Sequence, residues 1–426
     1  MTKYNIAIAG LGVVGAETAR HLMQRGDALS QKAGNTLQLT AVSARSKGKD
    51  RGFDMSGLTW CDDPVALASI EDIDIIVELM GGSDGPALAL TKKALAAGKH
   101  VVTANKAMIA THGIELAQLA ESHNAQLVFE SSVAGGIPAL KILREGLAAN
   151  DVSSVSGILN GTCNYILSEM EETGRGFDDV LREAQALGYA EADPTFDIDG
   201  IDAAHKVAIL DAIAFGHQPR FDKLDITGIR HITDRDISYA AEMGFRIRLI
   251  GRATADGNAL VAPFLLPESA PLAKVTGPLN AVYFEAEPVN TISAVGPGAG
   301  AGPTASAVLA DIIDIAAGRH NYPFGRPVAE LTVPVSAASA GAGKSCYYMR
   351  LTVTDKPGVL ADVTDVLKTC DISVETLIQK GQESDGSACL VMIVHETNAA
   401  AIASATAALA DVDAVQEVFN SLAVLR

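Results

Sequence analysis

An α/β fold is predicted for this chain of 426 residues by three observations. The first residues read as a short apolar strand, a glycine-rich turn and a helix. Strand-like and helical segments then alternate through residue 135, which implies a parallel sheet covered on both faces. The final stretch, 347–426, runs β-α-β-β-α-β, the order of a small ferredoxin-like module. Between them, 136–300 reads as an α+β domain and 301–325 as a helix returning to the first domain. The segment 326–346 holds PVSAASAGAGKS and reads as a small-residue linker. At about 150 residues per domain, the length suits two or three such units.

Composition narrows the class. Hydrophobic residues make up 48% and charged residues 20%, the balance of a globular protein. No window approaches the roughly 20 uninterrupted apolar residues of a membrane-spanning helix. The opening MTKYNIAIAGLG enters a strand without the three-part pattern of a secretory leader, so a cytoplasmic location is expected. A net charge of -18 speaks against nucleic acid or an anionic membrane as partner, because phosphate binding draws on clustered Lys and Arg. Five scattered cysteines without a CxxC are expected to be reduced.

In YNIAIAGLGVVGAETARHL the strand from Ile6 to Ala9 leads into Gly10, Gly12 and Gly15 and then a helix. Such glycines let the backbone turn sharply and approach a pyrophosphate, which rests on the free amides of the helix start. Gly10, Leu11, Gly12, Val13, Val14 and Gly15 are therefore the expected dinucleotide contacts of a Rossmann domain. The next strand, Leu37 to Val42, ends in Ser43, Ala44 and Arg45 with Lys47 and Lys49 nearby. An acidic residue there would hold ribose hydroxyls, whereas an arginine suits a 2′-phosphate. NADP(H) is thus expected over NAD(H), with a merely exposed basic loop as the other reading.

A strand from Asp74 to Leu79, a helix from Pro86 to Ala97 and the strand of KHVVTANKA continue the pattern. Thr103, Asn105 and Lys106 follow that last strand, at the edge where ligands of parallel sheets sit; Lys106 reads equally well as a surface lysine. After Glu130, SSVAGGIPAL carries Gly135 and Gly136 before a helix starting near Pro138. Its carbonyls and carboxylate could ligate a hard cation, although an ordinary strand-to-helix turn explains them too.

The middle region concentrates charge. SSVSGILNGTCNYI reads as strand, turn at Gly161, helix, and a second helix from Phe177 to Leu187 ends at Gly188. The following loop holds Glu191, Asp193, Asp197 and Asp199, which repel one another unless a cation answers them. In GIDAAHKVAILDAIAF, Asp202 and Lys206 lie one turn apart and share a face with Ile209 and Ile213. An ion pair on such an apolar helix faces an interior or a pocket. It either closes the end of a core or binds a polar substrate and moves a proton, with the lysine tuned toward neutrality. His205 points elsewhere and is expected in the core. Hydride transfer to a carbonyl would account for a glycine-cradled dinucleotide facing a proton-donating lysine. A second glycine turn, Gly296 to Gly302, leads into a helix from Thr304 and either covers the cofactor or only connects. The C-terminal module carries no catalytic constellation, so a regulatory or assembly role is expected.

Taken together, GLGVVG, VVTANKA, FESSVAGGIP, NGTCNYI, GYAEADPTFDIDGIDAAHKVAILDAIAFG and GPGAGAGPTASAV resemble homoserine dehydrogenases over nearly the whole chain. TVTDKPGVLADVTDVL resembles an ACT domain. The resemblance implies reversible NAD(P)H-dependent reduction of L-aspartate 4-semialdehyde to L-homoserine, in threonine, methionine and isoleucine biosynthesis. It places substrate binding on Glu191 and Asp202, the proton-donating lysine on Lys206 and a second lysine on Lys106. Cofactor contacts fall on Gly188 and near Gly302. A sodium site maps to Glu130 and to backbone oxygens of Val133, Gly135 and Ile137. A homodimer or homotetramer joined through the middle domain is implied, with threonine as an allosteric effector at the ACT domain. On that reading, truncation after Ser345 spares catalysis. The other enzyme reading is a different Rossmann-type amino-acid dehydrogenase; the non-enzyme one is an amino-acid-sensing protein.

Overall fold

The computed structural model describes residues 1–333, 344–382 and 386–426. Short valine- and isoleucine-rich runs form the first sheet: β1 (Lys3–Ala9), β2 (Thr36–Ser43), β3 (Thr59–Cys61), β4 (Ile75–Glu78), β5 (His100–Thr103) and β6 (Leu127–Val128). All pair in parallel, in the order β3-β2-β1-β4-β5-β6. Helices Val13–Ala33, Pro86–Ala96 and Lys106–Ser122 make the long connections that parallel strands need. Alternation along β1 sends Ala7 and Ala9 into one core and Ile6 and Ile8 into another. In that second core lie Val308, Leu309, Ile312 and Ile315 of helix Ala301–Ala316, which packs against the first sheet. Strand order reverses between β1 and β4, which puts the ligand crevice beyond their carboxyl ends.

The second sheet contains β7 (Asp151–Ile158), β8 (Asp225–Ile226), β9 (Phe245–Thr254), β10 (Ala259–Pro267), β11 (Leu279–Glu287) and β12 (Asn290–Pro297). It continues through β13 (Ser345–Thr354), β14 (Val374–Gln382), β15 (Ser387–Thr397) and β16 (Val415–Val424). Its order is β12-β11-β7-β9-β10-β16-β13-β15-β14, with β8 also on β10. The central antiparallel strands carry helix Ile201–Phe215 on one face. Gly251 permits its close approach, since a Cβ there would lie 2.4 Å from Val207 Cγ2.

Two expectations about the C-terminal third need correction. The module has the predicted β-α-β-β-α-β order, with helices Val359–Thr369 and Ala399–Ala410, yet it is not a separate body: β16 pairs in parallel with β10, Phe264 opposite Ala423 and Leu265 opposite Val424. Both helices cover one face of its sheet, over Met349, Leu351, Leu390 and Met392. The other face, with Tyr348, Val391, Ile393 and Leu422, joins the main core, because a sheet apolar on both sides must bury both. The linker expected over 326–346 is also shorter. Its first part is packed: Thr332 bridges to His217, and the Val328 amide donates to Glu121 at 2.9 Å. Positions 334–343 lie outside the described residues. Near Pro138 the expected helix is one turn, Ala139–Lys141, running into a π-type turn, Ile142–Gly146.

Candidate active site

The glycine turn between β1 and helix Val13–Ala33 is shaped by crowding. Gly10 has φ +96°, and a Cβ there would lie 2.5 Å from the Leu79 carbonyl oxygen; one on Gly15 would lie 1.9 Å from that of Gly10. Gly12, by contrast, faces open space, and no side chain caps this 21-residue helix. Amides of the first turn are therefore presented to a cradle that fits a pyrophosphate. Arg45 is exposed just past β2, in the expected basic loop. In that loop Arg51 donates to the Ser46 and Lys49 carbonyls at 2.5 and 2.7 Å, and it and Lys47 lie over the Trp60 ring.

At the end of β5 the backbone is braced from inside. The Thr103 hydroxyl donates to the buried Glu78 carboxylate at 2.7 Å, so its side chain supports the edge rather than facing the crevice. Asn105 caps helix Lys106–Ser122 through the Met108 amide at 3.1 Å and donates to the Gly82 carbonyl at 2.6 Å. Lys106, the first residue of that helix, is thereby aimed toward the middle domain.

There it meets the predicted pair. Asp202 Oδ1 is 3.0 Å from Lys106 Nζ, and Asp202 Oδ2 is 2.7 Å from Lys206 Nζ. One carboxylate thus bridges the two lysines, one from each domain. Lys206 also donates to the Leu159 carbonyl at 2.5 Å. Asn160, next to it, donates through Nδ2 to Asp202 at 2.9 Å and to Asp197 at 2.8 Å, while its Oδ1 caps helix Gly161–Thr173 at the Cys163 amide.

Burial sets the electrostatics. It would push the Asp202 carboxyl up, but Lys206 and then Lys106 outweigh it and hold the group below the usual carboxylate range. For Lys206, burial is the largest influence and lowers its pKa; Asp202 opposes this and Lys106 adds to it. Asp197 is pushed up, chiefly by burial. The arrangement sets a buried lysine of lowered pKa beside a carboxylate kept ionised, a pairing that can exchange a proton with a ligand.

Other predicted residues stand apart from this cluster. Glu191 is exposed on the loop before Asp202, its carbonyl accepting from Gln185 at 3.0 Å. Gly188 is exposed with φ +78° at the end of helix Phe177–Ala186. Gly302 lies exposed in the first turn of helix Ala301–Ala316. The second glycine turn packs against the Gly135–Gly136 turn: the Gly136 amide donates to the Pro297 carbonyl at 3.1 Å, and a Cβ on Gly135 would lie 2.4 Å from the Gly298 carbonyl oxygen. At the expected cation site, Ala134 and Gly135 take φ +55° and +52°. Glu130 is buried, and its carboxylate accepts from the Leu140 amide at 2.9 Å and pairs with Arg144 at 3.4 Å. Among the described residues no group of three His, Cys, Asp or Glu side chains could hold a metal. His205 is buried, as expected. Asn160, Leu159 and the bridging role of Asp202 escape sequence reasoning because their contacts span distant segments; only the cap at Asn160 leaves a local trace.

Residues 10–130 match the family model described as homoserine dehydrogenase, NAD binding domain, and 138–313 match that of homoserine dehydrogenase. The homoserine dehydrogenase of Neisseria gonorrhoeae is 44% identical over 430 residues, covering 98% of this chain and 97% of that one. That of Pseudomonas aeruginosa is 42% identical over 425 residues, covering 97% of each. The crystal structure of a homoserine dehydrogenase from Thiobacillus denitrificans superposes with a TM-score of 0.92 at 39% identity, covering 100% of this chain and 99% of that one. A hyperthermophilic archaeal homoserine dehydrogenase in complex with NADPH gives 0.66 at 30% identity, over 75% of this chain and 100% of its own. No helix among the described residues is long and apolar enough to cross a membrane. A dinucleotide cradle and a lysine pair bridged by one carboxylate thus occur in a chain matched almost end to end by these enzymes, and the chain belongs to the homoserine dehydrogenase family.

Proposed function

We propose that Lys206 carries the proton in the homoserine dehydrogenase reaction, the reversible reduction of L-aspartate 4-semialdehyde to L-homoserine. The carrying observation is Asp202 shared between Lys206 and Lys106. When bound in the cradle of Gly10, Leu11, Gly12, Val13, Val14 and Gly15, the nicotinamide cofactor supplies or takes the hydride. As the aldehyde carbon is reduced, its oxygen gains charge and takes a proton from Lys206 Nζ. In the oxidative direction, Lys206 removes the proton of the substrate hydroxyl. A lysine whose pKa is lowered by burial does both more readily than an exposed one. Asp202 orients both ammonium groups and, with Glu191 on the rim, binds the amino-acid end of the substrate. Lys106 stands between substrate and cofactor. Gly188, Gly302 and the backbone at Thr103 complete the cofactor contacts. Lys206→Ala tests this: turnover should fall by about 10²- to 10⁴-fold, the range of general acid–base catalysis, while NADPH binding, read by fluorescence titration, stays near wild type. Near-normal turnover would remove Lys206 from the mechanism.

The finer features follow from the same residues. Arg45, with Lys47 and Lys49, favours NADP(H) over NAD(H), and the archaeal relative with NADPH supports this. A sodium ion would be held by Glu130 and the backbone oxygens of Val133, Gly135 and Ile137, at the turn where Ala134 and Gly135 take positive φ. We assign 347–426 as an ACT domain binding a threonine effector, supported by its element order. Leu279, Val289 and Val295 are exposed along the β11–β12 edge, a surface for the second copy of a homodimer or homotetramer. Five free cysteines suit a cytoplasmic enzyme.

A further inference from the structure

Lys106 has a long flexible side chain with 30% of its surface exposed, and its ion-pair partner is Asp202. An ammonium held at one point still sweeps a wide arc. A second restraint is present: Lys106 Nζ lies 5.8 Å from the centroid of the Phe196 ring, within the distance at which an aromatic face attracts a cation. Phe196 sits on the four-residue helical turn Thr195–Ile198 and is 44% exposed, so its own packing would hold it weakly. It is backed instead by His205, whose ring stacks at 5.6 Å and 27°. His205 in turn stacks on Phe221 at 4.0 Å and 8°. The three rings come from three elements, Thr195–Ile198, Ile201–Phe215 and Phe221–Lys223, and tie the carboxylate-rich loop to the lysine-bearing helix. His205 is buried, its Nδ1 has no hydrogen-bond partner, and burial together with Lys106 pushes its pKa down to about 4. It stacks as a neutral ring and adds no cation beside Lys106.

We propose that Phe196, backed by His205 and Phe221, is a positioning residue for Lys106, its ring face keeping the ammonium between Asp202 and the cofactor crevice. The proposal rests on Lys106 belonging to the active site. Phe196→Leu keeps apolar bulk but removes the aromatic face. It should lower kcat by about 3- to 10-fold, the scale of one such contact, with NADPH binding and thermal midpoint unchanged. Phe196→Trp, which restores a π face, should recover most of the loss. A purely structural role would shift the midpoint and would not distinguish leucine from tryptophan. Wild-type kcat in Phe196→Leu, or equal losses in both variants, overturns the proposal. Lys106→Ala, measured in parallel, separates the two ideas. If it too retains full turnover, the active-site reading fails; if it alone loses turnover, only the role of Phe196 does.

Discussion

Asp236 and Asp202 are buried aspartates that each face basic partners, and they are built to opposite ends. Asp236, fully buried at the start of helix Asp234–Glu242, accepts from Arg350 Nε at 2.6 Å and from Tyr348 Oη at 3.0 Å on one oxygen. Its other oxygen accepts from Arg350 at 3.1 Å, Asn420 at 2.8 Å and the Thr233 amide and hydroxyl at 3.0 and 2.8 Å. The Arg350 guanidinium also lies 4.0 Å from the Phe419 ring centroid. This saturated pair locks the C-terminal module to the middle domain. Asp202 has fewer partners and faces lysines, whose pKa moves with burial where that of arginine stays high. The pair with every acceptor position answered is a clamp, whereas the one with a shifted lysine is the proton site proposed above.

The comparison breaks if either aspartate behaves like the other. Asp202→Asn should lower turnover by about 10²-fold or more, since both lysines lose their orienting charge, while the chain still folds. A gel-filtration profile and thermal melt like wild type, beside the kinetic loss, would bear this out. Asp236→Ala should do the reverse. Stranding Arg350 in the core costs about 3–5 kcal/mol, read in urea unfolding, and the molecules that remain folded should turn over normally.

Truncation after Ser345 sharpens the contrast. It deletes Arg350 and strips β10 of its neighbour β16. Loss of soluble expression or a marked drop in melting temperature is expected, and a fully stable, active truncation would show the clamp to be dispensable. This replaces the expectation that truncation there spares catalysis.

A smaller effect is expected from acid. The folded pKa of His205, about 4, lies below the ordinary 6.5. Its contribution is therefore present above pH 6.5 and is lost as pH falls toward 4. The loss is at most about 3 kcal/mol, and His205→Phe should flatten that part of the stability profile. Smallest is Arg45→Ala, which should weaken NADPH by about tenfold, a single exposed phosphate contact, and leave NADH unchanged in titrations. Equal losses would discard the 2′-phosphate assignment.

Local chemistry made much of this legible before any fold was known. The glycines at 10, 12 and 15 demand a turn within a few residues, and Asp202 and Lys206 are brought together by helical spacing alone. The parallel sheet was readable from alternation of strands and helices, and the βαββαβ order of the tail from its own pattern. The short strand β8 and the antiparallel strands β9 to β12 could not be read from the sequence, although Asp256-Gly257 between β9 and β10 marks a hairpin. Glu191 lies on an exposed loop outside the bonded cluster.

By itself the sequence determined what depends on neighbours in the chain: the nucleotide turn, the helix with its ion pair, the order of elements in the first domain and in the C-terminal module. Only the tertiary structure decided that Lys106 reaches the same carboxylate, that Asn160 bridges Asp197 and Asp202, and that β16 completes the middle sheet. Those contacts join residues from about forty to more than a hundred and fifty positions apart. Their formation depends on which apolar faces are buried together, a property of the packed whole that no local spacing encodes.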